Sequence, residues 1–218
     1  KADSKLKYLE LATRFVQDEI RYMGEESGIY SHKPHHPSKV LKQRYGDCKD
    51  KAQLLITLLQ ANNIESNLVL VNSSRQHNVK DLLPSAKAFN HAIVLAVVNN
   101  SEYFIDATIS HQRGGIDENY LPSYRCGLVV KSGKSDLVKI EETTTGFVNV
   151  VEEFQVGDTG KPTILNVTTE YTRNFANDIR QEINESSIQE IEKSYLNFYE
   201  KLYGYVSLND SLTYFDNE

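Results

Sequence analysis

A cysteine follows a glycine turn at the start of an apolar segment, a pattern that can carry thiol chemistry. Cys48 stands in the run Arg44-Tyr45-Gly46-Asp47-Cys48-Lys49, where a predicted helix begins. Unpaired backbone N–H groups and the positive end of the helix dipole stabilise a thiolate at such a position. The same N–H groups can donate hydrogen bonds to the oxyanion that forms when a thiolate attacks a carbonyl group. Cys48 is therefore a candidate nucleophile, and a buried structural cysteine is the alternative interpretation.

Two predicted strands later in the chain are joined by a short polar turn. The strands are His91–Val98 and Glu102–Asp106, and Asn99-Asn100-Ser101 lies between them. Asparagine adopts positive φ angles readily, so Asn-Asn suits a two-residue hairpin loop. Such a loop pairs Val98 with Ser101, and this pairing decides which side chains share a face of the sheet.

In that register a histidine and an aspartate come together. His91 lies opposite Thr108, and Asp106 is its diagonal neighbour on the same face. Diagonal neighbours are about 7–8 Å apart at Cβ, a gap that one hydrogen bond between a carboxylate and an imidazole can close. The pattern predicts that Asp106 orients His91 and that His91 activates the Cys48 thiol. A shift of one residue in the pairing would place the two side chains on opposite faces.

The elements that must position these residues are predicted from the spacing of apolar residues. Apolar side chains recur at three- and four-residue steps over Ser4–Met23, which predicts an amphipathic helix. Pro37 can open a short helix to about Arg44, and a buried helix is expected from Cys48 to about Asn62. A strand follows from Asn63, and the polar segment Ser73–Asn90 is expected to be an irregular flap.

A change of sequence texture near EETTT predicts two domains, 1–142 and 143–218. The first ends with short strands at Leu128–Lys131 and Leu137–Ile140. The second begins with a β-hairpin of Phe147–Val156 and Ile164–Tyr171. Two helices follow, the second opening with a capping box between Ser187 and Glu190. A hairpin with two helices is a thin basis for an independent fold, so we expect 143–218 to belong to a larger β-domain.

Composition excludes several classes of protein. The chain of 218 residues has 24 basic and 30 acidic side chains, and its net charge of -6 is spread rather than blocked. This charge argues against a nucleic-acid partner and against a polybasic membrane anchor. No apolar run approaches the roughly 20 residues of a transmembrane helix. Two cysteines do not make a disulfide scaffold.

Three segments together resemble the transglutaminase-like superfamily. They are RYGDCKDKAQLLITLL, FNHAIVLAV and YFIDAT, in that order, and they are similar to the family's Cys, His and Asp segments. The resemblance covers roughly residues 5–140, and it is nearest to the bacterial core found in large exported proteins with flanking β-rich domains. It implies an α+β, papain-like core, in which the Cys helix packs on an antiparallel sheet. It also implies catalytic roles for Cys48, His91 and Asp106 and a periplasmic or extracellular location.

The sequence departs from the animal members of this family beside the cysteine. Lys49 stands where those proteins have a tryptophan that donates to the oxyanion, and this chain has no tryptophan. Gln43 or Tyr45 is the candidate for a second oxyanion donor, and Tyr30 is the candidate for a stacking face at the substrate cleft. No acidic cluster resembles the calcium sites of the animal enzymes.

A histidine cluster is the other candidate site. His32, His35 and His36 lie close together, with Pro34 and Pro37 beside them. Three imidazoles could bind zinc or nickel. No cysteine or carboxylate stands nearby at a matching spacing, and the prolines favour extended rather than converging directions. We therefore expect a solvated loop here, with no metal and no cofactor.

Three functions follow from these patterns. The favoured one is thiol-dependent attack on a peptide or isopeptide amide through an acyl-enzyme, with a protein or peptide as substrate. Hydrolysis is favoured over crosslinking because nothing marks a second, amine-binding cleft. The alternatives are a binding or scaffold module that performs no chemistry and a metal-dependent hydrolase that uses the histidine cluster.

Overall fold

The computed structural model describes residues 4–24, 28–85 and 87–217. Contacts between residues divide the chain into two units, 1–145 and 146–218. In chain order the elements of the first unit are α1 (Lys5–Glu19), β1 (Arg21–Tyr22), α2 (Pro37–Gln43), β2 (Tyr45–Gly46), α3 (Cys48–Ala61), β3 (Glu65–Val71), β4 (His91–Val98), β5 (Ser101–Ile105), β6 (Cys126–Val129) and β7 (Leu137–Lys139).

The first helix is shorter than its apolar pattern predicts. The Ser4 hydroxyl caps α1 by accepting a hydrogen bond from the Lys7 amide. The helix ends at Glu19 rather than at Met23 because Arg21 and Tyr22 form β1. This strand pairs in parallel with β2, the segment directly before the Cys48 helix.

The main sheet is antiparallel throughout, with strand order β5-β4-β3-β6-β7. The predicted register of the hairpin is confirmed, because Val98 pairs with Ser101. Asn99 and Asn100 have φ angles of 51° and 66°. Both values lie in the left-handed region that a two-residue hairpin loop requires, which explains the two asparagines.

Each face of the sheet is covered by a different part of the chain. Val94 and Ala96 of β4 belong to the core that contains the buried stripes of α1 and α3. Ile93 and Leu95, which alternate with them, pack with Leu121 on the opposite face. With both faces covered, β4 reads as a nearly continuous apolar run instead of an alternating one.

The segment predicted as a flap is anchored to the first unit. It contains a 3-10 turn over Gln76–Asp81, and the side chains of Val79 and Ala88 are buried. The Asn72 side chain donates to the Ala88 carbonyl over 2.8 Å. The polar composition therefore marks an irregular segment, but buried apolar contacts and this hydrogen bond hold part of it in place.

The second unit has one hairpin and two helices. Its elements are β8 (Val148–Gln155), β9 (Ile164–Tyr171), α4 (Arg173–Glu185) and α5 (Ile188–Tyr203). The capping box between Ser187 and Glu190 at the start of α5 is confirmed. Across both units, none of the described helices combines the length and the apolar character that a membrane span requires.

Candidate active site

Cys48 is the first residue of α3, and two aspartates fix the turn around it. The Asp47 carboxylate accepts a hydrogen bond from the Asp50 amide over 3.1 Å, and the Asp47 amide donates to Asp50 over 3.4 Å. This reciprocal capping box holds the first turn of α3 rigidly. Lys49 forms an ion pair with Asp47, so that carboxylate is neutralised beside the partly exposed Cys48.

The first turn of α3 leaves two backbone donors available. Within the described part of the chain, the amides of Cys48 and Lys49 have no hydrogen-bond partner. Amides at a helix start are the donors that stabilise an oxyanion during attack on a carbonyl group. The site thus offers backbone donors at the position where the animal enzymes use a tryptophan.

Asp106 follows the last residue of β5 and is held by four donors. Its Oδ2 accepts from His91 Nε2 over 2.9 Å and from the Tyr124 hydroxyl over 2.6 Å. Its Oδ1 accepts from the Thr108 amide over 2.8 Å and from the Thr108 hydroxyl over 2.7 Å. Asp106 is 2 % exposed, and a buried carboxylate with this many donors remains ionised and oriented.

Tyr124 is a site residue that the sequence patterns did not identify. It lies in the segment before β6, is 4 % exposed, and its ring centroid is 5.7 Å from that of His91. It reaches Asp106 from a loop without helical or strand periodicity, 18 residues further along the chain. Its role is indicated only by its proximity to a buried carboxylate, and that proximity exists only in the folded chain. The sequence therefore contains no pattern that would identify it.

The charges at this site favour a protonated imidazole. Burial opposes protonation of His91, but the hydrogen bonds and charges of Asp106 and Cys48 outweigh it and raise the pKa of His91 to about 10. Burial likewise opposes ionisation of Asp106. The hydrogen bond and charge of His91, followed by hydrogen bonds from Tyr124 and Thr108, nevertheless hold the pKa of Asp106 below its usual value. An aspartate–imidazolium pair results over the neutral range.

The structure brings Cys48 to the same imidazole. Cys48 lies close enough to His91 for its side chain to raise the pKa of the imidazole, and His91 Nε2 already donates to Asp106. The ring nitrogen on the Cys48 side is therefore Nδ1. The sequence placed Cys48, His91 and Asp106 at the start of α3, at the start of β4 and at the end of β5. In the structure α3 packs on β4, and β4 pairs with β5.

Gly46 has a packing role. In the structure a Cβ at this position would lie 2.6 Å from the Asp50 Cβ. Glycine is required there because the Asp50 side chain, whose carboxylate caps the turn, packs directly against the Gly46 backbone.

The histidine cluster divides among different partners. His35 is 8 % exposed, so the expectation of a solvated loop is wrong for this residue. Its amide and its Nδ1 contact the two carboxylate oxygens of Asp50, over 2.7 and 3.0 Å. His36 instead caps α2 through a hydrogen bond from the Ser38 amide. Among the described residues, no three His, Cys, Asp or Glu side chains are grouped as a metal site.

The three proposed cleft residues lie in the segment that leads to Cys48. The Gln43 side-chain amide donates to the Tyr45 carbonyl over 2.8 Å, a contact within the turn itself. The Tyr45 side chain is 41 % exposed on β2. One ring face of Tyr30 is stacked on His35, with centroids 4.0 Å apart. The Gln43 amide thus supports the turn, while Tyr45 and Tyr30 offer partly exposed rings.

Residues 1–107 match the sequence profile of the transglutaminase-like superfamily. No curated protein sequence is similar enough to this chain to count as a relative.

Two solved structures are similar in part. A "putative protease" from Parabacteroides distasonis has 16% identity and a TM-score of 0.48, over 66% of this chain and 26% of that protein. A "putative cysteine protease" from Cytophaga hutchinsonii has 12% identity and a TM-score of 0.37, over 75% of this chain and 44% of that protein. The chain thus spans less than half the length of either protein.

The matched segment contains helix α3 and strands β3, β4 and β5. Cys48, His91 and Asp106 all lie within residues 1–107, and the α+β core expected from the sequence is confirmed in the first unit. Residues 1–107, just under half of the chain, are thus similar to the transglutaminase-like superfamily.

Proposed function

We propose that this protein is a thiol-dependent amide hydrolase in which Cys48, His91 and Asp106 form a catalytic triad. The observation that carries the proposal is the hydrogen bond from His91 to Asp106 together with the interaction of the same imidazole with Cys48. Asp106 orients the ring and stabilises its protonated form, and the imidazolium stabilises a thiolate at the start of α3. The substrate class is a protein or peptide amide, including an isopeptide.

The first half of the reaction forms an acyl-enzyme. The Cys48 thiolate attacks the amide carbon, a C–S bond forms, and the carbonyl electron pair moves onto oxygen. The free amides of Cys48 and Lys49 are the candidate donors to this oxyanion. His91 then gives its Nδ1 proton to the nitrogen of the leaving group, the C–N bond breaks, and the amine departs.

The second half of the reaction releases the acyl group. Neutral His91 accepts a proton from water while the water oxygen attacks the thioester carbon. The C–S bond breaks, a carboxylic acid leaves, and the thiolate–imidazolium pair is restored. An amine in place of water would give transfer to a new amide, and the acyl-enzyme chemistry is otherwise the same.

A location outside the cytoplasm is part of the proposal. It rests on the resemblance of the core to that of bacterial exported proteins with flanking β-rich domains. Fractionation of the source cells tests it directly. Recovery of the protein with cytoplasmic markers would contradict this part and leave the proposed chemistry intact.

Alkylation of the two cysteines at low pH tests the chemistry. Only the thiolate reacts, and an ordinary thiol is less than about 1% ionised at pH 6. Iodoacetamide at pH 6 should therefore modify Cys48 well before Cys126, as peptide mapping would show. Burial raises the pKa of the Cys126 thiol, opposed in part by the charge of Lys80, so Cys126 is an internal control.

A second probe separates an enzyme from a scaffold. A peptide that carries a thiol-reactive electrophile in place of the scissile amide should label wild-type protein, and Cys48→Ser should lose the label. Equal alkylation of both cysteines together with no labelling by this probe would favour the scaffold alternative. With an amide substrate, added amines should leave hydrolysis the main outcome.

A further inference from the structure

A buried lysine joins the Cys48 helix to the end of α1. Lys51 lies one helical turn after Cys48 and is 1 % exposed. Its Nζ donates to the carbonyls of Gln17 and Ile20, over 3.1 and 2.5 Å. These carbonyls belong to the C-terminal end of α1, where backbone acceptors lack helical partners and an ammonium group is favoured.

The same end of α1 contacts the aspartate of the proposed triad. The Gln17 side-chain amide donates to the backbone carbonyl of Asp106 over 2.8 Å, and Gln17 is 2 % exposed. The main chain of Gln17 therefore binds Lys51 while its side chain binds Asp106. A continuous set of buried hydrogen bonds runs from the Cys48 helix, through the last turn of α1, to the end of β5.

We propose that Lys51 and Gln17 are positioning residues, a buried brace that sets the distance between the Cys48 thiol and the His91–Asp106 pair. This inference rests on the function proposed above. Through the last turn of α1, the brace connects α3, which carries the nucleophile, to Asp106, which orients the base. Each link is a hydrogen bond from a side chain to a backbone carbonyl. Neither residue touches the reacting atoms, so both would act through the three residues that do.

The cost of burying Lys51 supports this role. Burial lowers the pKa of Lys51 to about 8, although the charges of Asp106 and Asp18 partly oppose the shift. The side chain thus remains an ammonium group at neutral pH and can donate to both carbonyls. A helix packing on a sheet needs only an apolar residue here, and an apolar side chain would avoid the desolvation cost. The two hydrogen bonds of the ammonium group fix the orientation of α3 relative to the end of α1, which apolar packing alone would not do.

Placement of this kind has a large effect on reactivity. The thiol and the imidazole lie on different elements, and a displacement of about 1 Å can reduce a rate about 10²-fold. The first residues of α3 are fixed by Asp47 and Asp50, but that capping box is internal to the turn and its neighbours. The brace instead sets α3 relative to Asp106.

Alkylation of Cys48 against pH tests the brace in the full chain. Lys51→Met and Gln17→Met keep the volume of each side chain and remove its donors. We expect each to lower the rate of Cys48 alkylation by iodoacetamide at pH 6 about tenfold. The pH at which the rate is half-maximal should rise, while Cys126 stays unchanged.

Leu55→Ala is the matched control. It truncates a fully buried side chain of α3 outside the brace, so it should lower thermal stability and leave the pH profile of Cys48 unchanged. All rates are measured at a temperature where circular dichroism shows each variant folded. If Lys51→Met does not fold, Gln17→Met decides the question, because it leaves the ammonium group and both carbonyls in place.

The outcomes separate the two proposals. If wild-type Cys48 is no more reactive than Cys126 at pH 6, the proposed function fails. If wild-type Cys48 is reactive and the Gln17→Met profile matches that of wild type, the brace is wrong and the proposed function stands. A loss of low-pH reactivity in Leu55→Ala equal to that in Gln17→Met would also overturn the brace, because destabilisation alone would then explain it.

Discussion

Two strands of equal length show how differently the two units use apolar residues. β4 and β8 each have eight residues. Six of the eight side chains of β4 are buried, and all eight of β8 are exposed. β4 lies between two other strands and has both faces covered, whereas β8 pairs, among the described strands, only with β9. A strand buries its apolar residues through its neighbours, not through its own composition.

The exposed apolar side chains of the second unit extend beyond β8. They include both faces of β8 and part of α5: Val148, Val150, Val151, Phe154, Phe198 and Leu202. A two-stranded hairpin is marginal in water, and an exposed apolar surface of this kind is typical of a contact surface. We propose that the second unit is part of a larger β-domain, as its sequence suggests, whereas the first unit closes its own core.

The largest difference between the two units should appear in their thermal stability when each is produced as a separate chain. A chain of residues 1–145 should unfold in one cooperative thermal transition, because its helices and sheet bury each other's apolar faces. A chain of residues 146–218 should show no cooperative transition, because few of its side chains are buried. Circular dichroism and calorimetry on both chains would measure this. Aggregation or molten behaviour of 1–145 would mean that the C-terminal residues complete the main core.

A matched pair of leucine truncations should sharpen the contrast. Leu55 of α3 is fully buried, and Leu202 of α5 is 56 % exposed. Leu55→Ala should lower the free energy of unfolding by about 2–5 kcal/mol, since it removes buried contacts and leaves a cavity. Leu202→Ala should change it by no more than about 0.5 kcal/mol. Denaturant titration of the full chain gives both values, and a comparable loss at Leu202 would show that α5 is buried in solution.

The third prediction locates the chemistry in the first unit. His91→Ala should lower the rate of Cys48 alkylation at pH 6 about 10²-fold, since an unassisted thiol is almost fully protonated there. The same loss is expected in the 1–145 chain, because every residue of the site lies in that unit. Iodoacetamide kinetics with peptide mapping measure the rate, and Cys126 serves as the reference in each sample. A Cys48 rate that does not depend on His91 would contradict the triad.

The same histidine makes stability depend on pH in a defined direction. Folding raises the pKa of His91 from 6.5 to about 10. Protonation therefore stabilises the folded state fully below about pH 6.5, and this contribution is lost as the pH rises to about 10. The difference in unfolding free energy between wild type and His91→Ala should shrink over that interval. A difference that grows with pH would mean that His91 is neutral in the folded protein.

The local part of the site was predictable from the sequence. Cys48 at a helix start follows from the glycine turn and the apolar run. The pairing of His91 with Asp106 follows from Asn99-Asn100, because two residues that accept positive φ fix the hairpin register. Both inferences need only neighbours in the chain or across one turn. Contacts of this short range can be predicted from the sequence because local backbone geometry determines them.

The long-range part of the site was not predictable. Lys51 reads as a polar residue on an amphipathic helix, and Gln17 lies 89 residues before the carbonyl that it binds. His35 looks like a loop residue until Asp50 is placed beside it. In each case tertiary packing brings the partner close, and no spacing of residues in the sequence indicates that contact.

The smallest expected effects come from two tyrosine hydroxyls, one in each unit. Tyr124 in the first unit donates to the Asp106 carboxylate over 2.6 Å, and Tyr195 in the second bonds the Tyr171 hydroxyl over 2.9 Å. A hydrogen bond to a charged acceptor contributes about 1.5–3 kcal/mol, against about 0.5–1.5 kcal/mol for a neutral pair. Tyr124→Phe should therefore lower the unfolding free energy more than Tyr195→Phe does. The aromatic ring is kept in both variants, so the two changes compare the hydroxyls alone.

The two substitutions should differ also in what they do to the thiol. Without the Tyr124 hydroxyl, Asp106 keeps three donors, so His91 stays oriented and Cys48 alkylation at pH 6 should fall only a few-fold. Tyr195→Phe should leave that rate unchanged, because Tyr195 belongs to the unit without the site. Denaturant titration and iodoacetamide kinetics on the same preparations test both statements. A Tyr195→Phe variant that slows Cys48 would show that the second unit supports the site, and the contrast between the two units would then hold for stability and not for chemistry.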